Sequence, residues 1–503
     1  EVFFYNKTKK TTPSIPLIRG RHSSPLTRGA RGLNFEEDSM TKRLKVNSPY
    51  DGHLITEIDL HDADQVESAL ETAYQLAKDP DKTLPVPRRI EILEKTAALV
   101  QAKAEEFAHR AAEEGGKPLV DSRIELARAV QGIREAAQSV SQLVGHEIPM
   151  KLTASSMNRM ALTIREPIGV VAAISAFNHP FNLIVHQVIP AVAVGCPVIV
   201  KPARATPLSC LSLVQCLYEA GLPKEWCQVI VCESSLAEKM VTDPRVAFFT
   251  FIGSGEVGWK LRSKLAPGTR CALEHGGAAP VIVDHDADLE DALPLLAKGG
   301  FYHAGQVCVS VQKVFVHESI VDKFSEGLVK LAEKLVVGDP TDEKTEVGPL
   351  IQEKEVDRVD QWVKEAQNEG AKILTGGKKI GATCYAPTVI LNPSDKTNVS
   401  AYEIFGPVVN IYSFKDRLEA IARANLTPFS FQAAVITRNV DTALDTAKRL
   451  NAATVMINDH TAFRVDWMPF GGRKASGLGV GGILPTMMEM TEEKLLVFRS
   501  KLI

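Results

Sequence analysis

The order of hydrophobic and polar positions predicts a largely helical first third of the chain. Apolar residues recur with the helical period over residues 63–78, 88–115 and 121–144, which predicts three amphipathic helices. The second helix is expected to end at the pair Gly115 and Gly116, because glycine often follows the last turn of a helix. The next stretch, 147–167, is polar with β-forming residues, and it predicts extended structure.

From residue 168 the pattern changes to short apolar runs that alternate with helical segments. Strands are predicted at 170–174, 197–200, 228–231 and 246–251, and helices at 183–194, 207–220 and 256–265. Nearly continuous apolar strands are typical of a parallel sheet covered on both faces. A second α/β region is expected from about residue 275, with strands at 280–283, 311–316, 455–457 and 495–498 and a helix at 320–335. The predicted fold class is therefore α/β.

The bulk composition narrows the classes of function. The chain has 503 residues, of which 45% are hydrophobic, and a formal net charge of −3, which suits a globular protein of two or three domains. This near-neutral charge gives no support for nucleic acid or an anionic membrane as a partner. The longest apolar run, 185–200, is broken by polar residues and prolines and is too short to span a bilayer.

The eight cysteines show no C-x-x-C pair and no histidines at zinc-finger spacing. They are expected to be reduced, as in a cytoplasmic protein. No metal site is predicted, because the sequence shows no clustered set of histidine and carboxylate ligands. Residues 1–39 have little apolar periodicity and are interpreted as a disordered extension or an artefact. A transit peptide is the alternative, because residues 2–35 are basic and contain no acidic residue.

Cys308 and Glu274 are the first candidates for chemistry. Cys308 ends the run Gly-Gln-Val-Cys, and it follows Glu274, in the run Leu-Glu-His-Gly-Gly, by 308 − 274 = 34 positions. A thiol titrates near ~8.5 and needs a base to attack at neutral pH. A thiol and a carboxylate, each in a glycine-flanked turn, therefore indicate a nucleophile and a general base that two elements bring together.

These two motifs resemble those of the aldehyde dehydrogenase superfamily, and the resemblance runs from about Leu44 to the C-terminus. It implies that Cys308 attacks an aldehyde and that the side-chain amide of Asn178 holds the oxyanion with the backbone N–H of Cys308. It also implies that Glu274 activates the water that hydrolyses the resulting thioester. A carboxylic acid is the expected product, NAD or NADP the expected cofactor, and no metal is required.

The same resemblance predicts the cofactor site. The turn that follows the strand 246–251 is a G-x-G-x-x-G sequence that opens a helix, a context suited to a pyrophosphate. Arg204 stands where many relatives have Glu, and it predicts acceptance of the 2′-phosphate of NADP; a solvated arginine without contact is the alternative. The predicted cofactor-binding residues are Ser175, Phe177, Lys201, Arg204, Gly253, Ser254, Val257, Glu403 and Phe405.

The resemblance also divides the chain. Residues 40–146 and 168–274 are predicted to form the dinucleotide-binding domain, 275–482 the catalytic domain, and 147–167 with 483–503 a small β element for oligomerisation. A homodimer or homotetramer is expected, because an unpaired apolar strand at 495–498 would expose a sheet edge. Pairing of that strand within its own chain is the alternative.

Three further residues are candidates for the recognition of an anionic substrate: Arg128, His179 and Arg464. A surface or structural role is the alternative for each. The Asn-His-Pro-Phe-Asn run at 178–182 resembles relatives that act on phosphonoacetaldehyde, although Val307 stands where some of them have Arg. The expected substrate is a short anionic aldehyde, such as a semialdehyde, phosphonoacetaldehyde or glyceraldehyde 3-phosphate. The alternatives are a CoA-acylating dehydrogenase, against which Glu274 argues, and a non-catalytic binding protein on the same scaffold.

Overall fold

The structure is a computed structural model that describes residues 42–503. The interpretation of residues 1–39 as an extension lies outside the described residues. The described part opens with two antiparallel strands, Arg43–Asn47 and Leu54–Asp59. Alternate residues of the first strand, Leu44 and Val46, are buried against Val231, as the period of two along a strand requires.

Helices dominate the first third of the chain, as predicted. The helix predicted at 63–78 is confirmed, and Asp62 caps it by accepting the backbone N–H of Gln65. The single helix predicted at 88–115 is wrong, because Lys103 leaves helical geometry (φ −105°, ψ 12°) and separates two helices. No glycine or proline lies at this break, so the apolar periodicity predicted one continuous helix. The second of these helices ends at Gly116 in the left-handed conformation (φ 73°), which agrees with the predicted end.

The helices of the described residues are α1 Ala63–Lys78, α2 Val86–Ala102, α3 Ala104–Gly115, α4 Leu119–Ser139, α5 Asn182–Val194, α6 Pro207–Glu219, α7 Ser234–Thr242, α8 Gly255–Arg262, α9 Leu289–Phe301, α10 Val321–Ala332, α11 Glu353–Asn368, α12 Asn398–Ala401, α13 Arg417–Ala424, α14 Val440–Arg449 and α15 Ile483–Glu489.

The strands are β1 Arg43–Asn47, β2 Leu54–Asp59, β3 Glu147–Ile148, β4 Arg159–Pro167, β5 Val170–Ile174, β6 Val198–Lys201, β7 Cys227–Val229, β8 Val246–Ile252, β9 Arg270–Glu274, β10 Pro280–Val283, β11 Lys313–His317, β12 Lys372–Thr375, β13 Lys379–Ile380, β14 Cys384–Tyr385, β15 Thr388–Leu391, β16 Val408–Phe414, β17 Phe429–Ser430, β18 Gln432–Ile436, β19 Thr454–Ile457, β20 Arg473–Lys474, β21 Gly477–Leu478 and β22 Thr491–Arg499.

The first large sheet has the strand order β21-β9-β8-β5-β6-β7. Strands β5 to β9 run parallel, and β21 joins the edge antiparallel to β9. One face packs on a core that includes α2, α4, α5 and α6, and the other on a core that includes α1 and α7. Burial on both faces explains why these strands are almost continuously apolar.

The second large sheet has the order β12-β15-β16-β11-β10-β18-β19. Its strands are parallel except β12, which pairs antiparallel with β15. A core that includes α9, α10 and α11 covers one face, and a smaller core with α13 and α14 covers the other. The prediction of a second α/β region is therefore confirmed.

A small antiparallel sheet has the order β22-β4-β3. Its strand β22 is longer than the 495–498 predicted from sequence, and it pairs along its length with β4. The order leaves the other edge of β22 without a partner in this sheet.

The candidate residues follow the carboxyl ends of the first sheet's parallel strands. Asn178 comes after β5, Ser254 after β8, and Glu274 is the last residue of β9. Because these ends meet at one edge of a parallel sheet, the three residues are brought together. Among residues 42–503, no helix combines the length and the apolar character needed to cross a bilayer.

Candidate active site

A cavity of about 1220 Å³ lies at this edge of the first sheet, and loops and helix α11 of the second α/β region line its other side. Of the residues predicted from sequence, Lys201 does not line it. The lining includes all the others: Arg128, Ser175, Phe177, Asn178, His179, Arg204, Gly253, Ser254, Val257, Glu274, Cys308, Glu403, Phe405 and Arg464.

The turn before Cys308 has an unusual backbone. His303, Ala304 and Gly305 all have positive φ, at 48°, 53° and 68°. A Cβ atom on Gly305 would lie 2.1 Å from the carbonyl oxygen of Gly406, so this position requires glycine. The turn leaves Cys308 partly exposed to the cavity.

The Cys308 thiol is held in its protonated form. Burial raises its pKa, and the neighbouring carboxylates of Glu403 and Glu274 raise it further, while the guanidinium of Arg464 opposes them. The thiolate is the attacking species, so chemistry at this thiol requires a base.

Glu274 has a pKa suited to a general base near neutral pH. Burial raises the pKa of its carboxyl group to about 7, against the opposing charge of Arg464. The carboxylate lies close to Gly481, where a Cβ atom would be 2.1 Å from Oε1. The absence of a side chain at position 481 therefore leaves room for the carboxylate.

Asn178 joins the loop of Cys308 to the first sheet. Its side chain is buried, and Nδ2 donates a hydrogen bond to the carbonyl oxygen of Gln306 at 2.9 Å. This bond uses one of the two hydrogens of the amide and fixes its orientation, so the second N–H remains for another acceptor.

The other end of the cavity fits a dinucleotide. Ser254 precedes the first turn of α8 and makes no side-chain capping bond, so the helix N-terminus is open to an anion. Val257, on the same helix, is 45% exposed. The rings of Phe177 and Phe405 meet edge to face, with centroids 5.9 Å apart.

Glu403 lies between this end and the thiol. Its Oε1 accepts the backbone N–H of Gly277 at 3.2 Å, and burial raises its pKa to about 8. A Cβ atom on Gly276 would clash with this carboxylate, which explains the glycine at this position.

Lys201 and Arg204 make contacts that the sequence did not predict. Lys201 is buried at the end of β6, where Nζ donates to the carbonyl oxygen of Pro202 at 3.2 Å rather than to the cavity. Arg204 lines the cavity, but its Nη1 donates to Oε2 of Glu233 at 2.6 Å. Neither alternative for Arg204 anticipated this acidic partner.

Comparison with known proteins identifies the family. The model of the aldehyde dehydrogenase family matches residues 35–496. The chain belongs to the aldehyde dehydrogenase family. The prediction of an NAD(P)-dependent aldehyde dehydrogenase with the α/β fold of that family is thereby confirmed.

Individual relatives match this aldehyde dehydrogenase over most of their length. The 3-sulfolactaldehyde dehydrogenase of Priestia aryabhattai is 40% identical over 466 residues, which are 92% of this chain and 97% of the relative. Aldehyde dehydrogenase 21 of Physcomitrella patens, solved with the reaction product succinate, superposes with a TM-score of 0.88 at 35% identity over 92% of this chain and 96% of that one. The glyceraldehyde-3-phosphate dehydrogenase GapN of Methanocaldococcus jannaschii, solved with NADP, gives 0.87 at 35% identity over 92% and 100%.

The three candidates for anion recognition are not equivalent in this aldehyde dehydrogenase. Arg128 is held by the buried Asp466, through Nη2 to Oδ1 at 2.8 Å and Nε to Oδ2 at 3.2 Å. Arg464 lies 3.5 Å above the Phe470 ring, with Nε 3.8 Å from Asp466. Its Nη1 is buried without a partner among the described residues. Arg464 therefore differs from Arg128 in having a buried donor that no residue of the described part of the chain satisfies.

Sequence reasoning missed three charged residues behind the cavity wall. Asp466 also accepts from His186 at 2.7 Å and from Asn182 at 3.0 Å. Lys117 and Glu125 form a fully buried pair at 2.7 Å. The helical pattern contained one signal, because Glu125 lies on the stripe of α4 that the apolar period places in the core.

Proposed function

We propose that this aldehyde dehydrogenase is of the hydrolytic type, with Cys308 as nucleophile and Glu274 as general base. The observation that carries the proposal is the partly exposed Cys308 in one cavity with a glutamate whose pKa is about 7 and with the fixed amide of Asn178.

The groups act in a fixed order. Cys308 gives its proton to water in the cavity and its sulfur bonds to the aldehyde carbon, while the second N–H of Asn178 stabilises the oxygen that becomes negative. Bound NAD(P)+, at the end formed by Ser254 and Glu403, supplies the hydride acceptor. Glu274 then takes a proton from water, and the water oxygen displaces the Cys308 sulfur from the acyl carbon to release the acid.

Replacement of Glu274 separates the two halves of this reaction. Glu274→Gln should give a burst of about one NAD(P)H per site and then turn over roughly 100-fold or more slowly, because hydrolysis loses its base. In the wild type, kcat should fall as the pH drops below about 7, since the raised pKa protonates the base there. Rapid-mixing absorbance and a pH series would measure both.

Two cysteine variants provide the matched pair for this test. Cys308→Ser should show neither burst nor turnover, whereas Cys271→Ser, at another partly exposed cysteine outside the cavity lining, should keep both. If Glu274→Gln turns over at the wild-type rate, and its kcat still falls below about pH 7 as in the wild type, Glu274 is not the base.

The proposed substrate is a short aldehyde with an anionic tail. Nη1 of Arg464 supports it, because a buried charged donor without a hydrogen-bond partner is costly unless an anion satisfies it. Relatives named for 3-sulfolactaldehyde and succinate semialdehyde, both anions, support the same class, whereas lactaldehyde, for which another relative is named, is short but uncharged.

A substrate panel tests this class. Succinic semialdehyde, glyceraldehyde 3-phosphate and phosphonoacetaldehyde should each have a higher kcat/KM than propanal. Arg464→Met should raise the KM for the preferred anion by roughly 10- to 100-fold more than the KM for propanal, the loss of a charged hydrogen bond. Arg438→Met removes an exposed surface arginine as the control. Better turnover of propanal than of every anion would refute the class.

The proposed cofactor use rests on Arg204 and Glu233. Both are about 40% exposed, so their ion pair is weak and can open. Arg204 would attract the 2′-phosphate of NADP, and Glu233 would repel it and accept the 2′-OH of NAD. We therefore propose that the enzyme uses both cofactors, with this pair setting the balance.

Two opposite variants test the balance. Glu233→Gln should shift the ratio of kcat/KM for NADP over NAD up by about tenfold, and Arg204→Glu should shift it down by at least as much. Steady-state kinetics with each cofactor at saturating aldehyde measures the ratio. A strong NAD preference that Arg204→Glu leaves unchanged would contradict the assignment.

The proposed assembly is a homodimer or homotetramer through β22. Its side chains Leu495, Val497 and Phe498 are 54%, 51% and 45% exposed, and one of its edges is open in the β22-β4-β3 sheet. Such an edge is a liability unless another chain covers it.

Sedimentation velocity tests the assembly. The wild type should sediment as two or four chains, and Val497→Lys should shift it toward one chain. Leu444→Lys places the same charge at an apolar residue of α14 that is 58% exposed, and it should not change the mass. A monomeric wild type at micromolar concentration would contradict the proposal.

A further inference from the structure

Lys117, Glu125 and His179 form a buried chain of hydrogen bonds behind the cavity wall. Nζ of Lys117 lies 2.7 Å from Oε2 of Glu125 and 2.5 Å from Nδ1 of His179. The other carboxylate oxygen, Oε1 of Glu125, accepts the backbone N–H groups of Phe181 and Asn182 at 2.9 and 2.8 Å. The carboxylate thus caps the start of α5 and holds the lysine in place.

This geometry determines where His179 carries its proton. Burial lowers the pKa of Lys117, but the Glu125 carboxylate 2.7 Å away opposes this shift and favours the ammonium. A lysine ammonium has three donors and no acceptor, so Nδ1 of His179 is the acceptor. In a neutral imidazole the proton then lies on Nε2. Nε2 makes no hydrogen bond to residues 42–503, and His179 keeps 14% of its side chain exposed as part of the cavity lining. Nε2–H is therefore the ring donor left for a ligand.

The surroundings keep this imidazole neutral. Burial lowers the pKa of His179 well below its usual value, and the adjacent cation of Lys117 lowers it further. The Tyr302 ring also packs near the imidazole, with centroids 6.5 Å apart. The other titratable groups that face the ring are His303, Arg128 and Arg464, which act in the same direction, and Glu125, whose Oε2 is 3.9 Å from Nδ1.

We propose that Lys117 is a positioning residue for substrate recognition: its hydrogen bond to Nδ1 fixes His179 as a neutral Nε2–H donor to the anionic tail of the aldehyde. The inference rests on the proposed anionic substrate. It gives a role to a buried lysine next to a cavity histidine, since the lysine makes the donor independent of pH.

Replacement of Lys117 should make recognition depend on pH. In Lys117→Met the Glu125 carboxylate faces Nδ1 without a competing cation, so His179 can take a proton as the pH falls. The ratio of KM for succinic semialdehyde to KM for propanal should then be roughly 5- to 10-fold lower at pH 6 than at pH 8.5, because an imidazolium binds the anion more strongly. The wild-type ratio should change by less than about twofold over the same range.

Two matched variants assign the effect to these residues. Lys117→Met/His179→Gln has no imidazole, and Lys117→Met/Glu125→Gln has no carboxylate to draw a proton, so both ratios should be independent of pH. The second variant also avoids an uncompensated buried charge, which protects folding. A ratio that stays flat in Lys117→Met, or that still varies in either double variant, overturns the inference.

A spectroscopic measurement does not depend on whether Lys117→Met folds. Solid-state 15N spectra of the histidine-labelled wild type, minus those of His179→Gln, should show His179 neutral with its proton on Nε2 from pH 6 to 8.5. A proton on Nδ1, or titration in this range, overturns the inference. Failure of the proposed substrate class is distinguishable, because it appears as a wild-type preference for propanal.

Discussion

The hydrogen bond from Asn178 to the carbonyl oxygen of Gln306 joins the two halves of the catalytic centre. Asn178 follows a strand of the first sheet, whereas Gln306 belongs to the turn that leads into the second sheet. Its 2.9 Å length sets the separation between the amide and the thiol two residues later. The other parts of the site depend on this link, because a nucleophile and an oxyanion donor lose their effect when they drift apart by about 1 Å.

Several charged side chains are buried around that link. Asp466 serves Arg128, His186 and Asn182 at once, and its pKa is held below the usual range despite burial. Buried ion pairs of this kind stabilise folding little compared with apolar packing of the same volume. Their benefit here is orientation, because they leave some cavity-facing donors satisfied and others, notably on Arg464, available.

The fold and the site were predictable from sequence to different degrees. Short apolar runs between helical segments indicated the parallel sheet, because burial on both faces requires apolar residues all along strands such as β5. The break at Lys103 was not predictable, since no glycine or proline occurs there. The positions of Glu274 and Cys308 followed from their motifs. The partners of Arg128 and Arg204 did not, because a single sequence does not show which distant acid meets which base.

The raised pKa of Cys308 has a consequence beyond the reaction with aldehydes. Peroxides, like aldehydes, react with the thiolate and hardly at all with the protonated thiol. Because burial and the neighbouring acidic groups favour the protonated thiol of Cys308, they also slow its reaction with peroxides, although a cavity leads to it.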